Sequence, residues 1–323
     1  SAPAEDRERE VLEQIKTRVR EETHGIMREF EDAVDRVPEG SAPNHKFYAR
    51  RQIHPLVLCS PFTYRTFHKP LGYAGDYETV NMMIRDSFEG GSLFARALND
   101  AFLHTPPVQA HRNRIQYLHQ MIRAEVQRNA EIGRRTRILN LGCGPAHEIQ
   151  EFLVREDLSD LCAFNLLDFN AETISHTEDR LTSLLRQHGR VGTVNFMERS
   201  IQDLLKQDRE GAVELPWESF DIVYCAGLFD YLSQRVCKRL VNVFNRLLRP
   251  GGLLAVTNVS MDNPDKAWME YILEWNLIYR DKAGMKDLVP ESVIPLQAEV
   301  KEDATGVNYF LEIRKSAMNG TRT

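Results

Sequence analysis

The chain has 323 residues, of which 42% are hydrophobic and 27% are charged, and its formal net charge is −6. This composition is that of a folded globular protein and excludes a largely disordered chain, while the length predicts one large or two medium domains. An acidic chain has no overall attraction for a phosphate backbone, so the net charge argues against a nucleic-acid partner.

Three further features bear on where the protein works. The sequence has no run of about 18 apolar residues, so we expect no transmembrane helix and no membrane partner. Its first residues are too charged for a secretory signal. The 5 cysteines are odd in number and form no Cys-x-x-Cys pair, which argues against a disulfide framework. We therefore expect a cytoplasmic protein with reduced cysteines.

The first part of the chain is predicted to be helical. From about Ala4 to Val37 the apolar residues recur every three or four positions, which places them on one face of a helix. Gly25 either divides this helix in two or only weakens it. The Pro- and Gly-containing stretch 38–44 predicts a turn or linker. Helical spacing returns over three later stretches: 79–84, 93–103 and 108–129, the last preceded by Pro106-Pro107, which suits a helix start.

Residues 54–78 combine glycine, proline, aromatic side chains and an acid. The pattern is too irregular for a helix and predicts ordered loops, which often carry sites because a scaffold holds their side chains outward. An aromatic plug between two domains is an equally good interpretation. We expect the loop from Leu71 to Glu78 to reach into the active site and exclude water from it.

From about residue 134 the pattern changes to short apolar strands that alternate with helices. The predicted strands are 137–141, 162–167, 193–197, 220–225 and 253–257, and the helices between them fall near 149–153, 173–185, 201–205 and 236–248. This alternation predicts an α/β fold with a mainly parallel, doubly wound sheet. Residues 296–300 and 307–313 predict a hairpin at the sheet edge. We place a helical N-terminal cap domain at 1–130 and the sheet domain at 131–323.

Ligands of open α/β sheets bind outside the carboxyl ends of the strands, so the residues after each strand are the first candidates for a site. Gly142 and Gly144 follow the first strand and let the backbone turn tightly beside a ligand. His147 stands where the dinucleotide motif would need its third glycine. Asp168 ends the second strand, where a carboxylate can accept two hydrogen bonds from ribose hydroxyls. A nucleoside without a pyrophosphate fits S-adenosylmethionine better than NAD.

Four segments resemble, in order and spacing, the motifs of class I S-adenosylmethionine-dependent methyltransferases, over roughly residues 130–315. These segments are Leu139–Ala146, Leu167–Asp168, Phe220–Leu228 and Leu247–Leu253. The resemblance implies a Rossmann-like methyltransferase sheet with an antiparallel edge hairpin, and S-adenosyl-L-methionine as the cofactor. The chain departs from the family at Asn140, where an acid is usual, and at Ala146, where a third glycine is usual.

The resemblance also implies which residues bind the cofactor. Gly142 and Gly144 would line its methionine part, Asp168 would hold the ribose, and Cys225 with Ala226 would run under it. The full expected set is Asn140, Gly142, Cys143, Gly144, Asp168, Phe169, Ser200, Ile201, Gln202, Cys225 and Ala226, in which Ser200, Ile201 and Gln202 flank the adenine. The histidines show no metal-ligand spacing, so we predict no metal.

The outer segments 69–77, 226–232, 268–280 and 305–310 resemble a narrower group of bacterial proteins, those of 3-hydroxypalmitic acid methyl ester (extracellular factor) biosynthesis. This resemblance implies methylation of a carboxyl group of a small molecule, in bacterial secondary or signalling metabolism. A few relatives of this general kind are thought to cyclise S-adenosylmethionine itself to azetidine-2-carboxylate, which leaves methylthioadenosine.

We therefore predict a small-molecule methyltransferase that acts on a carboxylate or hydroxyl oxygen. A carboxylate is already ionised at pH 7, whereas a hydroxyl needs a base, for which Asp230, Tyr231, Asp76 and His54 are candidates. The candidate catalytic set, expected to converge above the methyl group, is Tyr73, Asp76, Tyr77, Asp230, Tyr231 and Tyr279. Its tyrosines could cage a sulfonium by cation–π contact.

Each of these predictions has an alternative. Asp230 could be a helix N-cap, and the tyrosines could serve packing alone. The aromatic residues spaced by three and four from Trp268 to Tyr279 predict a helix face packed on the N-terminal domain. Cyclisation needs a neutral amine, which Asn140 would suit because it removes an acid that favours the protonated form. A non-catalytic S-adenosylmethionine-binding protein is the third function, and the oligomeric state is left open.

Overall fold

The computed structural model describes residues 2–85, 88–210, 215–291, 293 and 297–317. The chain divides into two compact units. The first contains residues 1–112 and 262–276, and the second contains 113–261 and 277–323. The predicted division at residue 130 thus does not coincide with the boundary of the compact units. The reason is that residues 118–126 of a long helix pack against the sheet of the second unit.

The first unit is helical, as predicted. Its helices are α1 (Ala2–Val34), α2 (Ala42–Val57), α3 (Pro61–His68), α4 (Tyr77–Ile84), α5 (Leu93–Phe102) and the first residues of α6 (Pro106–Ala130). Helix α1 runs through Gly25 without a break. The predicted turn after it contains a short 3-10 helix, Glu39–Ser41, before α2 begins. The core of this unit gathers Met27, Phe62, Phe102, Trp268 and Ile272.

Two predictions for this unit are wrong. Residues 54–78 are not mainly loop, because α2 continues through Pro55 to Val57 and α3 follows at once. Helix α3 forms because Pro61 occupies its first position and the hydroxyl of Ser60 accepts a hydrogen bond from the Thr63 N–H at 3.3 Å. Residues 58–60 form a short turn between these two helices, and 69–76 is the longer irregular stretch.

The second wrong prediction is the helix face from Trp268 to Tyr279. The chain forms a single π-helical turn, Trp268–Ile272, and then continues without regular structure. The carboxylate of Glu31 accepts the main-chain N–H groups of Ala267 and Trp268, at 2.8 and 2.7 Å. Tyr279 lies beyond this turn, in the second unit.

The second unit contains a seven-stranded sheet. Its strands are β1 (Thr136–Leu141), β2 (Cys162–Asp168), β3 (Thr193–Glu198), β4 (Phe220–Cys225), β5 (Leu248–Val259), β6 (Ala298–Glu302) and β7 (Asn308–Arg314). They lie in the order β3-β2-β1-β4-β5-β7-β6. The pairs from β3 to β5 are parallel, and β7 runs antiparallel to both β5 and β6. The predicted α/β fold with an antiparallel edge hairpin is confirmed. Leu296, at the start of the predicted hairpin, lies outside the described residues.

Helices cover both faces of this sheet. The helices that follow α6 are α7 (His147–Arg155), α8 (Ala171–Gln187), α9 (Ile201–Glu210), α10 (Gln234–Leu247) and α11 (Lys282–Lys286). One core contains apolar residues of α6, α7 and α8, and the other contains apolar residues of α9, α10 and α11. Neighbouring residues of one strand enter different cores, as Ile138 and Leu139 do. Because side chains alternate along a strand, this separation places one helical layer on each face. Among the described residues, no helix is both long and apolar enough to span a membrane.

Candidate functional site

The loop after β1 turns sharply at the point where the order of the strands reverses. β1 lies between β2 and β4, so the connections from β1 and β4 lead to opposite sides of this point. Gly142 and Gly144 both have positive φ, at +65° and +51°. Ala146 also adopts φ +51°, although a glycine would take this conformation at a lower cost. The loop is therefore held in a shape that favours glycine at three positions.

Main-chain hydrogen bonds fix this loop against the end of β2. The N–H groups of Gly142 and Cys143 both donate to the Leu167 carbonyl, at 2.7 and 3.1 Å. A Cβ on Gly144 would meet no atom within 4 Å, so the main chain faces open space there. A Cβ on Gly142 would instead lie 3.3 Å from the side chain of Leu228. Gly144 can therefore receive a ligand at close range.

Asp168 ends β2 beside this loop and is 4% exposed. Its Oδ2 accepts the Gly144 N–H and its Oδ1 accepts the Asn170 N–H, both at 3.1 Å. Burial raises the pKa of Asp168, and these backbone N–H groups oppose the rise. A carboxylate oxygen has lone pairs for further donors, so Asp168 can still accept hydroxyl groups. The structure thus brings together three of the predicted cofactor residues: Gly142, Gly144 and Asp168.

Asn140 belongs to a buried polar network that also includes two residues outside the predicted set. Its Nδ2 donates to Oε1 of Glu148 at 3.1 Å, and the Tyr224 hydroxyl donates to the same oxygen at 2.6 Å. Burial raises the pKa of Glu148, and the Tyr224 hydroxyl opposes the rise. Oδ1 of Asn140 is buried and accepts no hydrogen bond from the described residues. Position 140, where the family usually has an acid, thus carries an amide. This amide is hydrogen-bonded to an acid on α7, Glu148.

Arg114 of α6 lies at the carboxyl end of β4. Its Nη1 and Nη2 are 3.0 and 3.1 Å from the position that a Cβ on Gly227 would take. Gly227 has φ +85°, so two constraints favour glycine there. Burial lowers the pKa of Arg114, and the charges of Asp230 and Glu148 oppose the change. The side chain of Arg114 thus adds a positive charge to the strand ends.

Asp230 lies in a short 3-10 helix, Phe229–Tyr231, and is 3% exposed. Its Oδ1 accepts the Val259 N–H at 2.6 Å, and its carbonyl accepts the Ile278 N–H at 2.6 Å. Burial raises the pKa of Asp230, which the Val259 N–H and the charges of Arg114 and Arg280 oppose. Asp230 does not cap α10, whose N-cap position belongs to Ser233. The alternative interpretation as a helix cap is therefore wrong.

Arg280 holds the segment around Asp230 in place. It is 4% exposed. Its guanidinium donates to the Phe229 carbonyl at 2.9 Å, the Leu232 carbonyl at 2.6 Å and Oε1 of Gln234 at 2.8 Å, and also to Oδ1 of Asn258. These contacts join the loop after β4 to the end of β5. Tyr231 lies in this loop and is 38% exposed, while Tyr279, next to Arg280, is partly buried.

The remaining predicted cofactor residues follow the same edge of the sheet. Cys143 and Cys225 are buried, Ala226 is partly buried and Phe169 is 52% exposed. Ser200 caps α9: its hydroxyl accepts the Asp203 N–H at 3.1 Å, and Asp203 accepts the Ser200 N–H in return at 3.1 Å. Ile201 and Gln202 begin this helix. All of these residues stand at or directly after the ends of β1, β2, β3 or β4.

The predicted catalytic residues Tyr73, Asp76 and Tyr77 lie in the first unit. Asp76 is fully buried and accepts two hydrogen bonds from Arg65, at 2.9 and 2.7 Å. Its Oδ1 also caps α4 by accepting the Thr79 N–H at 2.8 Å. These contacts favour a structural role for Asp76. Because Asp230, Tyr231 and Tyr279 belong to the second unit, the convergence of the six residues stays a prediction.

Sequence reasoning missed Glu148, Tyr224 and Arg114. A signal for two of them was present: a charged residue at a position where the helix period requires an apolar one. Arg114 precedes Leu118 by four residues on the apolar face of α6, and Glu148 precedes Phe152 by four on α7. Charges at such positions need partners, which makes them candidates for a site. Tyr224 sits in an apolar strand and carries no comparable signal.

The residues present fit S-adenosylmethionine. An open cradle lies at Gly144, a buried acceptor without a partner among the described residues lies at Asn140, and a carboxylate lies at the end of β2. Asp168 would hold the ribose, and the loop from Gly142 to Gly144 would hold the methionine part. When bound, the cofactor supplies the activated methyl group, and the protein supplies position and a dry pocket.

Comparison with solved structures shows the same fold elsewhere. A possible exported protein from Bordetella parapertussis aligns with a TM-score of 0.60 at 16% identity, over 88% of this chain and 99% of that one. The N-methyltransferase NodS from Bradyrhizobium japonicum WM9 aligns at 13% identity over 62% and 96% of the two chains, with a TM-score of 0.39. Magnesium protoporphyrin IX methyltransferase from Synechocystis PCC 6803 aligns at 10% identity over 64% and 85%, with a TM-score of 0.43.

At 16% identity, the alignment with the Bordetella protein concerns the fold alone, and the two alignments with TM-scores below 0.5 carry no argument. No curated protein matches the chain in sequence. A family model is more informative: the model described as a methyltransferase domain matches residues 132–308, more than half of the chain. This range contains Gly142, Asp168 and Asn140 together with the hydrogen-bond partners described for them above. The chain therefore belongs to this methyltransferase-domain family, and it is an S-adenosylmethionine-dependent methyltransferase.

Proposed function

We propose that the protein transfers the methyl group of S-adenosylmethionine to an oxygen of a small molecule, and that this oxygen belongs to a carboxylate. The observation that carries this choice is the environment of Asp230. Its Oδ1 accepts the Val259 N–H, and its charge interacts with those of Arg114 and Arg280. Although burial raises its pKa, this carboxylate is 3% exposed and Oδ1 is already committed to a main-chain N–H, so we assign Asp230 a positioning role and not proton abstraction. An acceptor that is already ionised at pH 7 needs no base.

The narrower resemblance to proteins of 3-hydroxypalmitic acid methyl ester biosynthesis supports the same chemistry. We propose a cytoplasmic enzyme of bacterial secondary or signalling metabolism whose partner is a small-molecule substrate and not a nucleic acid. A hydroxyl acceptor is the less favoured form of this proposal, because it would require a base in place of Asp230.

In this proposal Tyr231 contributes most directly to the acceptor pocket, because it is 38% exposed at the end of β4. Asp230 acts as a positioning residue, since its contacts fix the turn that carries Tyr231. Tyr279 is proposed to add to an aromatic wall around the sulfonium, while the catalytic roles of Tyr73 and Tyr77 stay predictions from the sequence. Asp76 is proposed to stabilise the fold and not to act in catalysis, because it caps α4 and pairs with Arg65.

The test uses S-adenosylmethionine that carries label in its methyl group, with the full chain and a series of 3-hydroxy fatty acids. Carboxyl methylation would put the label into an ester, and mild alkali would release it as methanol. An ether formed at a hydroxyl group would resist alkali. The matched fatty alcohols, which lack the carboxylate, serve as the control. Label that stays in an alkali-stable product would contradict the carboxylate acceptor.

The second candidate function is cyclisation of S-adenosylmethionine to azetidine-2-carboxylate. The observation that favours it is Asn140, whose amide stands where an acid is usual and whose Oδ1 accepts no hydrogen bond from the described residues. A neutral amide oxygen can accept an amine N–H and favours the charged form of the amine less than a carboxylate would. In this reaction the amine nitrogen would attack the γ-carbon, the carbon–sulfur bond would break toward sulfur, and one amine proton would be lost.

The same incubation separates the functions. Labelled methyl in a fatty-acid ester supports the transferase. Label that remains in methylthioadenosine, formed without any acceptor, supports the cyclase. If neither product forms although the cofactor binds, the protein is a non-catalytic S-adenosylmethionine-binding member of its family.

A further inference from the structure

Arg114 is a cation that no motif of the sequence accounts for. It stands on α6 and reaches the carboxyl end of β4, where its guanidinium packs on the main chain of Gly227. The atoms Nη1, Nη2 and Cζ lie 3.0, 3.1 and 3.3 Å from the position that a Cβ on Gly227 would take. The close approach is possible because Gly227 has no side chain. The guanidinium is therefore placed at the edge of the sheet where ligands of such folds bind.

The acids around Arg114 have other partners as well. Asp230 is bonded to the Val259 N–H and also interacts with Arg280. Glu148 accepts hydrogen bonds from the Tyr224 hydroxyl and from Asn140. Arg114 itself stays partly exposed. A guanidinium has five N–H donors in a planar fork, which matches a carboxylate in geometry. Arg114 is thus placed and equipped to take an incoming carboxylate in addition to its present neighbours.

Charge decides which part of the cofactor this residue can bind. S-adenosylmethionine carries a positive sulfonium, an amine that is usually protonated, and one carboxylate. A guanidinium repels the first two and attracts the third. Leu228, the residue after Gly227, packs against Gly142 in the loop that is proposed to line the methionine part. The positive charge is therefore at the methionine end of the site, and not at the ribose end marked by Asp168.

We infer that Arg114 binds the carboxylate of the methionine part of S-adenosylmethionine. This inference rests on the proposed placement of the cofactor along β1 and β2, and it adds a residue and a charge that this placement lacked. Arg114 would fix the direction of the amino-acid part through paired N–H contacts, as arginine does with carboxylates. The protein would then distinguish adenosine compounds that carry an amino-acid carboxylate from those that do not.

The competing explanation is that Arg114 only neutralises Asp230 and Glu148. A purely structural cation would, when removed, weaken every ligand to the same degree because the loop after β4 would shift. A carboxylate-binding cation would, when removed, weaken only ligands that carry the carboxylate. The two explanations therefore differ in ligand selectivity, and this difference does not depend on activity.

The experiment is isothermal calorimetry with two probes on the full chain. S-adenosylhomocysteine carries the amino-acid carboxylate, and methylthioadenosine keeps the adenosine and sulfur but lacks it. In Arg114→Met we expect the affinity for S-adenosylhomocysteine to fall by at least about 10-fold, the size of a lost charged hydrogen-bond pair. The affinity for methylthioadenosine should change by less than about 2-fold, because that probe makes no contact with the missing charge.

Two further variants keep the test decisive if Arg114→Met does not fold. Arg114→Lys keeps the charge but loses the paired contact, so we expect an intermediate loss for S-adenosylhomocysteine alone. Gly227→Ala keeps Arg114 but places a Cβ 3.0 Å from Nη1 at a φ of +85°, so the guanidinium must shift by a few tenths of an ångström and the loop is strained; we expect a loss that is larger for S-adenosylhomocysteine than for methylthioadenosine. The matched control is Arg123→Met, which removes an exposed arginine of the same helix that pairs with Glu156.

In Arg114→Met, an equal loss of affinity for both probes, or no loss for either, would overturn the inference. The proposed cofactor placement would still stand as long as the wild-type chain binds S-adenosylhomocysteine. A wild-type chain that binds methylthioadenosine as tightly as S-adenosylhomocysteine would also overturn it, since no carboxylate contact would then exist. A wild-type chain that binds neither probe would refute the proposed cofactor placement itself, and the role of Arg114 with it.

Discussion

In the helical unit, the buried carboxylates of Asp76 and Asp100 each accept two hydrogen bonds from one guanidinium, that of Arg65 or of Arg20. In the sheet unit, the buried carboxylates of Asp168, Glu148 and Asp230 are held instead by main-chain N–H groups, a hydroxyl or an amide. The two sets also differ in place. The second set is gathered at the carboxyl ends of β1, β2 and β4.

This difference separates acids that hold helices together from acids that can meet a ligand. A bidentate ion pair uses both oxygens of a carboxylate and fixes its geometry. A carboxylate bonded mainly to the backbone keeps lone pairs for further donors. Burial raises the pKa of Asp168, Glu148 and Asp230, the three acids at these strand ends, and such shifts gather at functional sites. Substitutions in both units can test this comparison, from the largest expected effect to the smallest.

The largest effect is expected where a buried cation orders the site. Replacing Arg280 with Met would remove the charged donor of the Phe229 and Leu232 carbonyls and of Oδ1 of Asn258, although the Phe229 carbonyl would still accept the Leu232 N–H and the Leu232 carbonyl the Cys237 thiol. We expect the free energy of unfolding to fall by about 3 kcal/mol or more, because several charged hydrogen bonds of one buried guanidinium are lost together. Urea unfolding measures this, with the exposed Arg235→Met as the control. A loss below about 1 kcal/mol would show that the Arg280 contacts are dispensable.

The next variant tests whether Asp76 is structural. Asp76→Ala removes both the cap of α4 and the pair with Arg65, so we expect a stability loss of about 2 kcal/mol or more. Asp76→Asn keeps an acceptor for the Thr79 N–H and should lose less, because asparagine is also a good cap. Turnover measured well below the unfolding temperature should change little. A large loss of turnover with unchanged stability would instead return Asp76 to the catalytic residues.

A third variant concerns Asp265, a buried acid of the helical unit. It is 7% exposed, and its Oδ2 accepts no hydrogen bond from the described residues. Burial, then the charge of Glu31, raises its pKa from 3.8 to about 7. Between these values the folded chain holds a proton that the unfolded chain has lost. The free energy of unfolding therefore falls as pH rises from about 4 to about 7, by at most about 1.4 kcal/mol per pH unit.

Replacing Asp265 with Asn removes the titrating group and should flatten this part of the pH profile, most visibly as higher stability at alkaline pH. The measurement is urea unfolding of both proteins at several pH values. Parallel profiles for the two proteins would mean that Asp265 is ionised in the folded chain throughout.

The smallest of these effects concerns the loop after β4. Tyr231→Phe and Asp230→Asn should each reduce turnover about 10-fold while the affinity for S-adenosylhomocysteine stays within about 1 kcal/mol, the first because Tyr231 acts mainly in the transition state and the second because the turn that carries Tyr231 loses its support. The Asp230→Asn change removes no base that the proposed reaction needs, but it removes the negative charge that faces Arg114 and Arg280. Normal turnover in both variants would place the acceptor site elsewhere.

The sheet could be predicted from the sequence because its signals are local. Each parallel strand is a short apolar run that ends in a turn or a polar residue, as at Leu141 and Asp168, and the helices between strands carry apolar stripes. The parallel arrangement of β1 to β5 followed from the alternation of strands and helices and from the right-handed crossover rule. The hairpin of β6 and β7 was recognisable from the turn residues that precede Gly306.

The failures arose where tertiary contacts override local pattern. Pro55 suggested a loop, yet α2 tolerates it near its end and is held from outside, because Nε2 of His54 bonds the Ile272 carbonyl at 2.9 Å. The turn at Trp268 depends on the carboxylate of Glu31, which is more than two hundred residues away in sequence. Arg114 and Glu148 were missed because no motif contains them, although both place a charge on an apolar helix face.

The central claim is that the cofactor lies across the ends of β1 and β2 with its ribose on Asp168. The most direct measurement is calorimetry of S-adenosylhomocysteine with wild type, Asp168→Ala, and Asp157→Ala as a control in which an exposed acid is removed. We predict that Asp168→Ala weakens binding by about 2–3 kcal/mol, since it removes a charged acceptor of two hydroxyl groups, and that the control changes nothing. Unchanged affinity in Asp168→Ala would contradict the account.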